Sequence, residues 1–417
     1  MWYNTRGFHE AENGIRYRGP TGYATSDDGV NWTKPDLGSV KFGPDRHNNI
    51  AIGEGTINGL FYEPNDPDPK RRYKALVWID PRWQAEYAPR EGFYLYWSPD
   101  GMHWEGDNRN CVIPSGQSTQ FPEVLVGGMG DTSNFVWDKK LNKYICNGKI
   151  LFRRPTIRTI GHSESDDLVH WTRPIVTMHR DRFDGEDQIG EITRIPYESM
   201  WLGLLGVYQW PEGQWKQKYP QLAASRDGRH WYRVNPREAF IPLGSETSSW
   251  DPDFTIAGRP GPVLIGDELW FYYLGHTQRD EQPFDQDVGL AKLRRDGFVS
   301  LNAGDEAGEL ITRPMTFSGS RLYVNAQVEK GGYIKVAVCS RSGAQMIPPG
   351  RTERASRPAS GEPIDGFTFN DAVAVTGDAT KIPVRWNGAN EFRLSSGDHV
   401  RLKFRLKNAK MFSFWIE

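Results

Sequence analysis

Residues 132–137 are β-branched and aromatic, residues 138–142 are turn-forming, and residues 143–151 resume an apolar–polar alternation. This pattern predicts a β-hairpin with the carboxylate of Asp131 at its mouth. Similar short aromatic runs recur at residues 59–62, 73–78, 201–208 and 268–273. Periodicity of 3.6 residues is weak throughout, so the pattern predicts an all-β chain.

One polar phrase punctuates these strands. It reads Ser26-Asp-Asp-Gly-Val-Asn-Trp32, Ser98-Pro-Asp-Gly-Met-His-Trp104, Ser165-Asp-Asp-Leu-Val-His-Trp171 and Ser225-Arg-Asp-Gly-Arg-His-Trp231, with a degenerate fifth copy at 294–300. The tryptophans recur at intervals of 72, 67 and 60 residues, about four strands per repeat. Asp-Gly supplies a tight turn, and the Trp starts an outer strand. Turn chemistry accounts fully for the Asp of each phrase, which makes it a structural residue. Five such units predict a five-bladed β-propeller over residues 1–305, a radial repeat that protects strand edges. The first unit has only its later strands, 1–42, and lacks an innermost strand.

The repeat stops near residue 305. Short alternating strands over residues 322–417, interrupted by an Arg-, Ser-, Gly- and Pro-rich loop at 348–363, predict a C-terminal β-sandwich spanning 306–417.

Charge narrows the partners. Against 417 residues, 51 basic and 53 acidic side chains leave a net charge of -2, too little field to steer the chain to nucleic acid or anionic lipid. No run of 18 apolar residues suits a membrane span. Cys111, Cys146 and Cys339 are too scattered for a disulfide framework or a CxxC metal site. No ligand cluster identifies a cation, so neither metal nor cofactor is expected. The 16 Trp suit sheet packing and sugar stacking alike. No secretory leader opens the chain. A leader on a missing upstream segment would favour a secreted or periplasmic protein.

First strands of a propeller line a central channel, so acidic residues at their mouths converge from distant sequence positions. Glu54, Asp131, Glu191 and Asp253 occupy comparable places, one per repeat from the second to the fifth. Glu186 and Asp187, in the loop before Glu191, are rivals to it. Convergent carboxylates are what glycosidic hydrolysis needs, one protonated for the leaving oxygen and one ionised to attack or to activate water. Like-charge repulsion would separate their roles. No GxSxG, HExxH or Walker sequence competes. Arg153, Arg154 and Arg158 follow the Asp131 hairpin and could hold a carboxylate or sulfate, while His162 lies in an interior strand. His9, beside Glu10, could overhang the channel.

The phrase from Tyr23 to Trp32 and its repeats resemble the five-bladed propeller glycoside hydrolases of families 32, 43, 68 and 117. The order, propeller then β-sandwich, is similar to family 32, although that family's Trp-Met-Asn-Asp-Pro-Asn-Gly, Arg-Asp-Pro and Glu-Cys motifs are absent. Family 43 is the better local match, with Asp131 opening the third unit's inner strand and Glu191 the fourth's. The resemblance implies that Asp131 tunes the acid and orients substrate while Glu191 is the general acid. The family's base, on the first unit's inner strand, has no counterpart in this sequence, so Glu54 or Asp253 would have to act instead.

These observations point to a glycoside hydrolase acting on a plant, algal or microbial oligo- or polysaccharide. The alternatives are a non-catalytic glycan-binding propeller, in which the carboxylates would be dispersed or salt-bridged, and a scaffold or lyase-like protein. A lyase would use a group such as His162 facing the arginines. Oligomeric state is not legible in the sequence.

Overall fold

The computed structural model describes residues 1–5, 8–10, 16–41, 46–81, 88–115, 128–153, 156–210, 217–234, 236–245, 249–258, 261–277, 285–340, 361–388, 391 and 399–417, and the side chains of all but a few of these. β-strands dominate, with one 3-10 turn at Pro69–Arg71. Among the described residues no helix is long and apolar enough to cross a membrane. The chain divides into two compact units, one of residues 1–263 and 270–291, the other of 264–269 and 292–417.

The first unit is a succession of antiparallel sheets. Sheet I pairs Trp2–Asn4, Thr21–Tyr23 and Ile50–Ile52. Sheet II pairs Thr56–Tyr62, Tyr73–Ile79, Gly92–Ser98 and Glu105–Pro114. Sheet III pairs Asn134–Asp138, Lys143–Arg153, Thr156–Ser165 and Ile175–His179. Sheet IV pairs Gln188–Tyr197, Met200–Gln209, Gln217–Ser225 and Tyr232–Arg233. In sheet V, Glu268–Thr277 pairs with Phe254–Ala257, Asp285–Arg294 and Val263–Ile265. A single parallel bridge, Lys218 with Phe254, joins sheets IV and V.

Alternation sends successive side chains to opposite faces, so each sheet packs on both neighbours. In sheet III, Tyr144, Cys146 and Ile150 join Phe61, Leu76 and Trp78 of sheet II. Ile145 and Val136 instead meet Trp201 of sheet IV. Ile52 of sheet I packs with Ala75 and Val77 of sheet II. Sheet V reaches sheet I, where Tyr272 Oη donates to the Gly29 carbonyl at 2.8 Å and Trp32 meets the Tyr272 ring edge-on. Sheet I meets the turn of sheet II in the same way, through Trp2 Nε1 and the Gly101 carbonyl at 2.7 Å. Gly29 has φ +74° and no room for a Cβ, which would lie 2.7 Å from Tyr272 Oη. Only glycine satisfies both conditions.

The repeated phrase proves to be a turn held by its own side chains. In sheet II, Ser98 Oγ accepts from the Gly101 N–H at 2.9 Å, and Asp100 Oδ1 accepts from the N–H groups of Met102 and His103, each at 2.9 Å. Asp100 Oδ2 meets His103 Nδ1 at 2.7 Å, and Trp104 Nε1 donates to the Gly101 carbonyl at 2.8 Å. The copies at Asp28, Asp167 and Asp227 repeat the aspartate's backbone bonds. Burial raises the Asp100 pKa, but the His103 and Met102 bonds outweigh it and hold the carboxyl down at about 2. A depressed acid stabilises the fold above its unfolded pKa near 4, and that contribution is lost as pH falls through the folded value. Asp100→Asn is therefore expected to melt below the parent at pH 7, with the gap closing toward pH 2. Differential scanning calorimetry across that range checks it, and a gap independent of pH would contradict it.

In the second unit the described strands belong to one hydrogen-bonded five-stranded sheet. Leu322–Ser340 and Val400–Ile416 pair antiparallel along most of their length, flanked by Leu301–Ala303, Gly308–Ile311 and Asp378–Pro383. Register breaks between Val328 and Tyr333 interrupt the long pair, and bulges of this kind bend a sheet. The core gathers Val336, Leu402, Phe404 and Trp386, whose Nε1 donates to the Val336 carbonyl at 2.8 Å.

Candidate active site

The first strands of sheets II, III and IV are tied together at their N-terminal ends. Asn58, at a register irregularity of sheet II's first strand, donates its side-chain N–H to the Asp131 carbonyl. Thr132 Oγ1 donates to the Gly190 carbonyl at 2.8 Å, and Gly190 lies at the corresponding irregularity of sheet IV. The Lys218 N–H donates to the Asp253 carbonyl at 3.0 Å, linking sheet IV to sheet V. Bulges re-aim side chains, so this rim is where the sheets present groups out of strand register. Asp131 and Glu191 each adjoin a residue of the Thr132–Gly190 bond in sequence.

Each of these carboxylates has a lysine. Asp131, with its side chain 47% exposed, meets Lys149 Nζ at 2.7 Å. Glu191, 6% exposed, meets Lys218 Nζ at 2.6 Å. Lys149 and Lys218 are themselves buried. Lys218 also lies 4.5 Å from the Tyr208 ring and 4.8 Å from the Phe254 ring, so cation–π contact supplements the ion pair. Gly206 makes room for the Glu191 carboxylate, since a Cβ there would lie 2.5 Å from Glu191 Cγ. Gly206→Ala is expected to cost about 1–3 kcal/mol and push Glu191 off Lys218. A melting curve and a crystal structure of the variant check this. An unchanged melting temperature with the ion pair intact would contradict it.

The other predicted residues distribute unevenly. Arg158 belongs to the rim, since it packs against Gly190 and its guanidinium lies 4.8 Å from the Tyr208 ring and 5.0 Å from the Trp210 ring. Asp187 is near it, accepting from the Trp210 N–H at 3.1 Å. Asp253 adjoins the rim through its carbonyl, one residue before sheet V's first strand. Glu186 is exposed.

Glu54 departs from the expected convergence. Its Oε1 accepts from Tyr96 Oη at 3.0 Å and from Asn108 Nδ2 at 3.2 Å, on the third and fourth strands of sheet II. Burial, then the Glu54 charge, raises the Tyr96 pKa and keeps the phenol a donor. His162 lies on the same strand as Arg158, four residues further on. It is buried between sheets III and IV, with Nε2 2.9 Å from Glu164 Oε1 and Nδ1 3.2 Å from the Asn147 amide. Burial holds its pKa below the usual imidazole range. Arg154 and the side chains of His9 and Arg153 lie outside the described residues.

Sequence reasoning does not reach Lys149, Lys218, Asn58, Tyr208 or Trp210. A lysine inside an apolar second strand, as in Gly148-Lys149-Ile150-Leu151, is the signal that could have found the first. Among the described residues no group of three metal-ligating side chains occurs.

No family model matches the chain, and no curated protein matches it. Among solved structures it overlaps a glycoside hydrolase at 12% identity, covering 71% of this chain and 84% of that one, with a TM-score of 0.47. An N-acetylgalactosamine deacetylase from F. plautii, in complex with blood group B trisaccharide, overlaps at 12% identity, 68% and 86% coverage and a TM-score of 0.47. A glycosyl hydrolase from Bacteroides ovatus overlaps at 14% identity, 59% and 69% coverage and a TM-score of 0.40.

Proposed function

We propose that the chain is a glycoside hydrolase whose first unit is a five-bladed β-propeller followed by a β-sandwich unit, with cleavage at the rim that carries Asp131 and Glu191. The observation that carries this reading is the Thr132–Gly190 hydrogen bond, which draws two carboxylate-bearing strand ends from different sheets to one place. Lys218 keeps Glu191 in an ion pair, which suits an ionised base or nucleophile better than a proton donor. That reverses the role implied by the family 43 resemblance. Asp131, half-exposed and itself paired with Lys149, would accept from a ring hydroxyl and orient the sugar. Trp210, half-buried with Arg158 over its ring, adds an aromatic surface beside the rim. The carbohydrate would be plant, algal or microbial.

One observation favours the second reading, a glycan-binding propeller without turnover: both rim carboxylates are engaged by lysines. Reducing-sugar release by the parent, Asp131→Asn and Glu191→Gln chains separates the two. Turnover that either change abolishes supports hydrolysis, and binding without turnover supports the alternative.

A further inference from the structure

A cleft opens at the opposite ends of the same first strands. Its volume is about 760 Å³, within the usual range of ligand sites, and Tyr62, Glu63, Asp66, Trp137, Tyr144 and Pro196 line it. Tyr62, Trp137 and Pro196 stand at or next to the C-terminal ends of the first strands of sheets II, III and IV. Gly190 and Pro196 belong to one strand, six residues apart, so at about 3.3 Å per residue this cleft is about 20 Å from the rim.

Its chemistry differs from that of the rim. Tyr62 is 59% exposed and Trp137 36%, which is unusual for large rings beside a core. Both rings are braced, Tyr62 against Tyr73 at a centroid distance of 4.6 Å and Trp137 edge-on to Tyr144 at 4.7 Å. The polar groups are fixed as well. Lys74 Nζ holds Asp66 Oδ2 at 2.7 Å and pairs with Glu63, and Glu63 accepts from Tyr144 Oη. Exposed, immobilised ring faces beside anchored carboxylate acceptors are the components of a sugar site, in which rings stack on C–H faces and carboxylates accept from hydroxyls. The charged groups among the lining residues are the carboxylates of Glu63 and Asp66, which disfavours uronate or sulfated chains.

We propose that this cleft is a second carbohydrate-binding site, taking a neutral oligosaccharide segment independently of the rim. The proposal does not depend on hydrolysis at the rim.

The test uses the full chain on an array of neutral, uronic and sulfated oligosaccharides, with the parent, an Asp131→Asn/Glu191→Gln double variant, Tyr62→Ser and Trp137→Phe. Tyr62 faces solvent, so its replacement leaves the fold intact, and circular dichroism verifies this for each variant. The expected result is neutral-glycan binding that survives the double variant and weakens about tenfold in Tyr62→Ser and in Trp137→Phe, a loss of about 1.4 kcal/mol. Binding lost only in the double variant, binding confined to acidic glycans, or no neutral-glycan binding at all would overturn the proposal.

Discussion

Arg194→Ala is expected to lower stability by about 3–5 kcal/mol, the cost of leaving a buried charge without its partner. Arg194 is fully buried in the first strand of sheet IV, and its Nη2 meets Asp138 Oδ2 of sheet III at 2.8 Å. The guanidinium lies 3.7 Å from the Trp201 ring centroid and donates to Asn147 Oδ1 at 3.4 Å. Burial lowers the Arg194 pKa to about 10 even though Asp138, Asp227 and Glu164 all raise it. Asp138 meanwhile holds the hairpin turn of sheet III, its Oδ1 accepting from the N–H groups of Lys140 and Leu141. Removing Arg194 therefore leaves a buried carboxylate at a turn that sheet III needs. At about 2–4 °C per kcal/mol, the melting temperature should fall by about 10 °C. Arg194→Lys should recover little of this, because one ammonium cannot span Asp138, Asn147 and the Trp201 face together. Thermal unfolding followed by circular dichroism checks both variants. A fall under about 2 °C for Arg194→Ala would contradict the account.

What could be read in the sequence is what local chemistry determines. The Ser-x-Asp phrases announce their turns because Asp100, Asp167 and Asp227 bond to N–H groups only two and three residues ahead. The hairpin at Asp131 is likewise local, and it appears as Asn134–Asp138 paired with Lys143–Arg153. The site is only partly legible, because pairing across strands decides what each carboxylate meets. Asp131 finds Lys149 from 18 residues away, through a register that no window of sequence displays. Glu54 looked equivalent to Asp131 by its place before a strand. Gly55, at φ +80°, turns the chain there, and the Glu54 carboxylate meets Tyr96 instead. His162 sits in an interior strand as expected, but the face it occupies lies between two sheets, where Glu164 and Asn147 engage it. The register breaks within the second unit's long strands are not marked by composition.

Glu191→Gln carries the largest expected effect on activity. Removing a carboxylate that acts on the reacting bond costs about 100- to 10,000-fold in rate. The same change leaves Lys218 buried without its anion, and that structural cost must be separated from the chemical one. Glu191→Gln combined with Lys218→Met removes both charges and should restore much of the stability without restoring turnover. A purely structural role for the pair predicts the opposite, with turnover returning alongside the fold.

The most direct measurement is reducing-sugar release from a panel of neutral, furanosidic, uronic and sulfated oligosaccharides, by the parent and by Glu191→Gln, at a temperature where both are folded. The account predicts that the parent turns over at least one member and that the variant retains under about 1% of that rate. Equal rates in the two chains, or no release by the parent from any member, would contradict it.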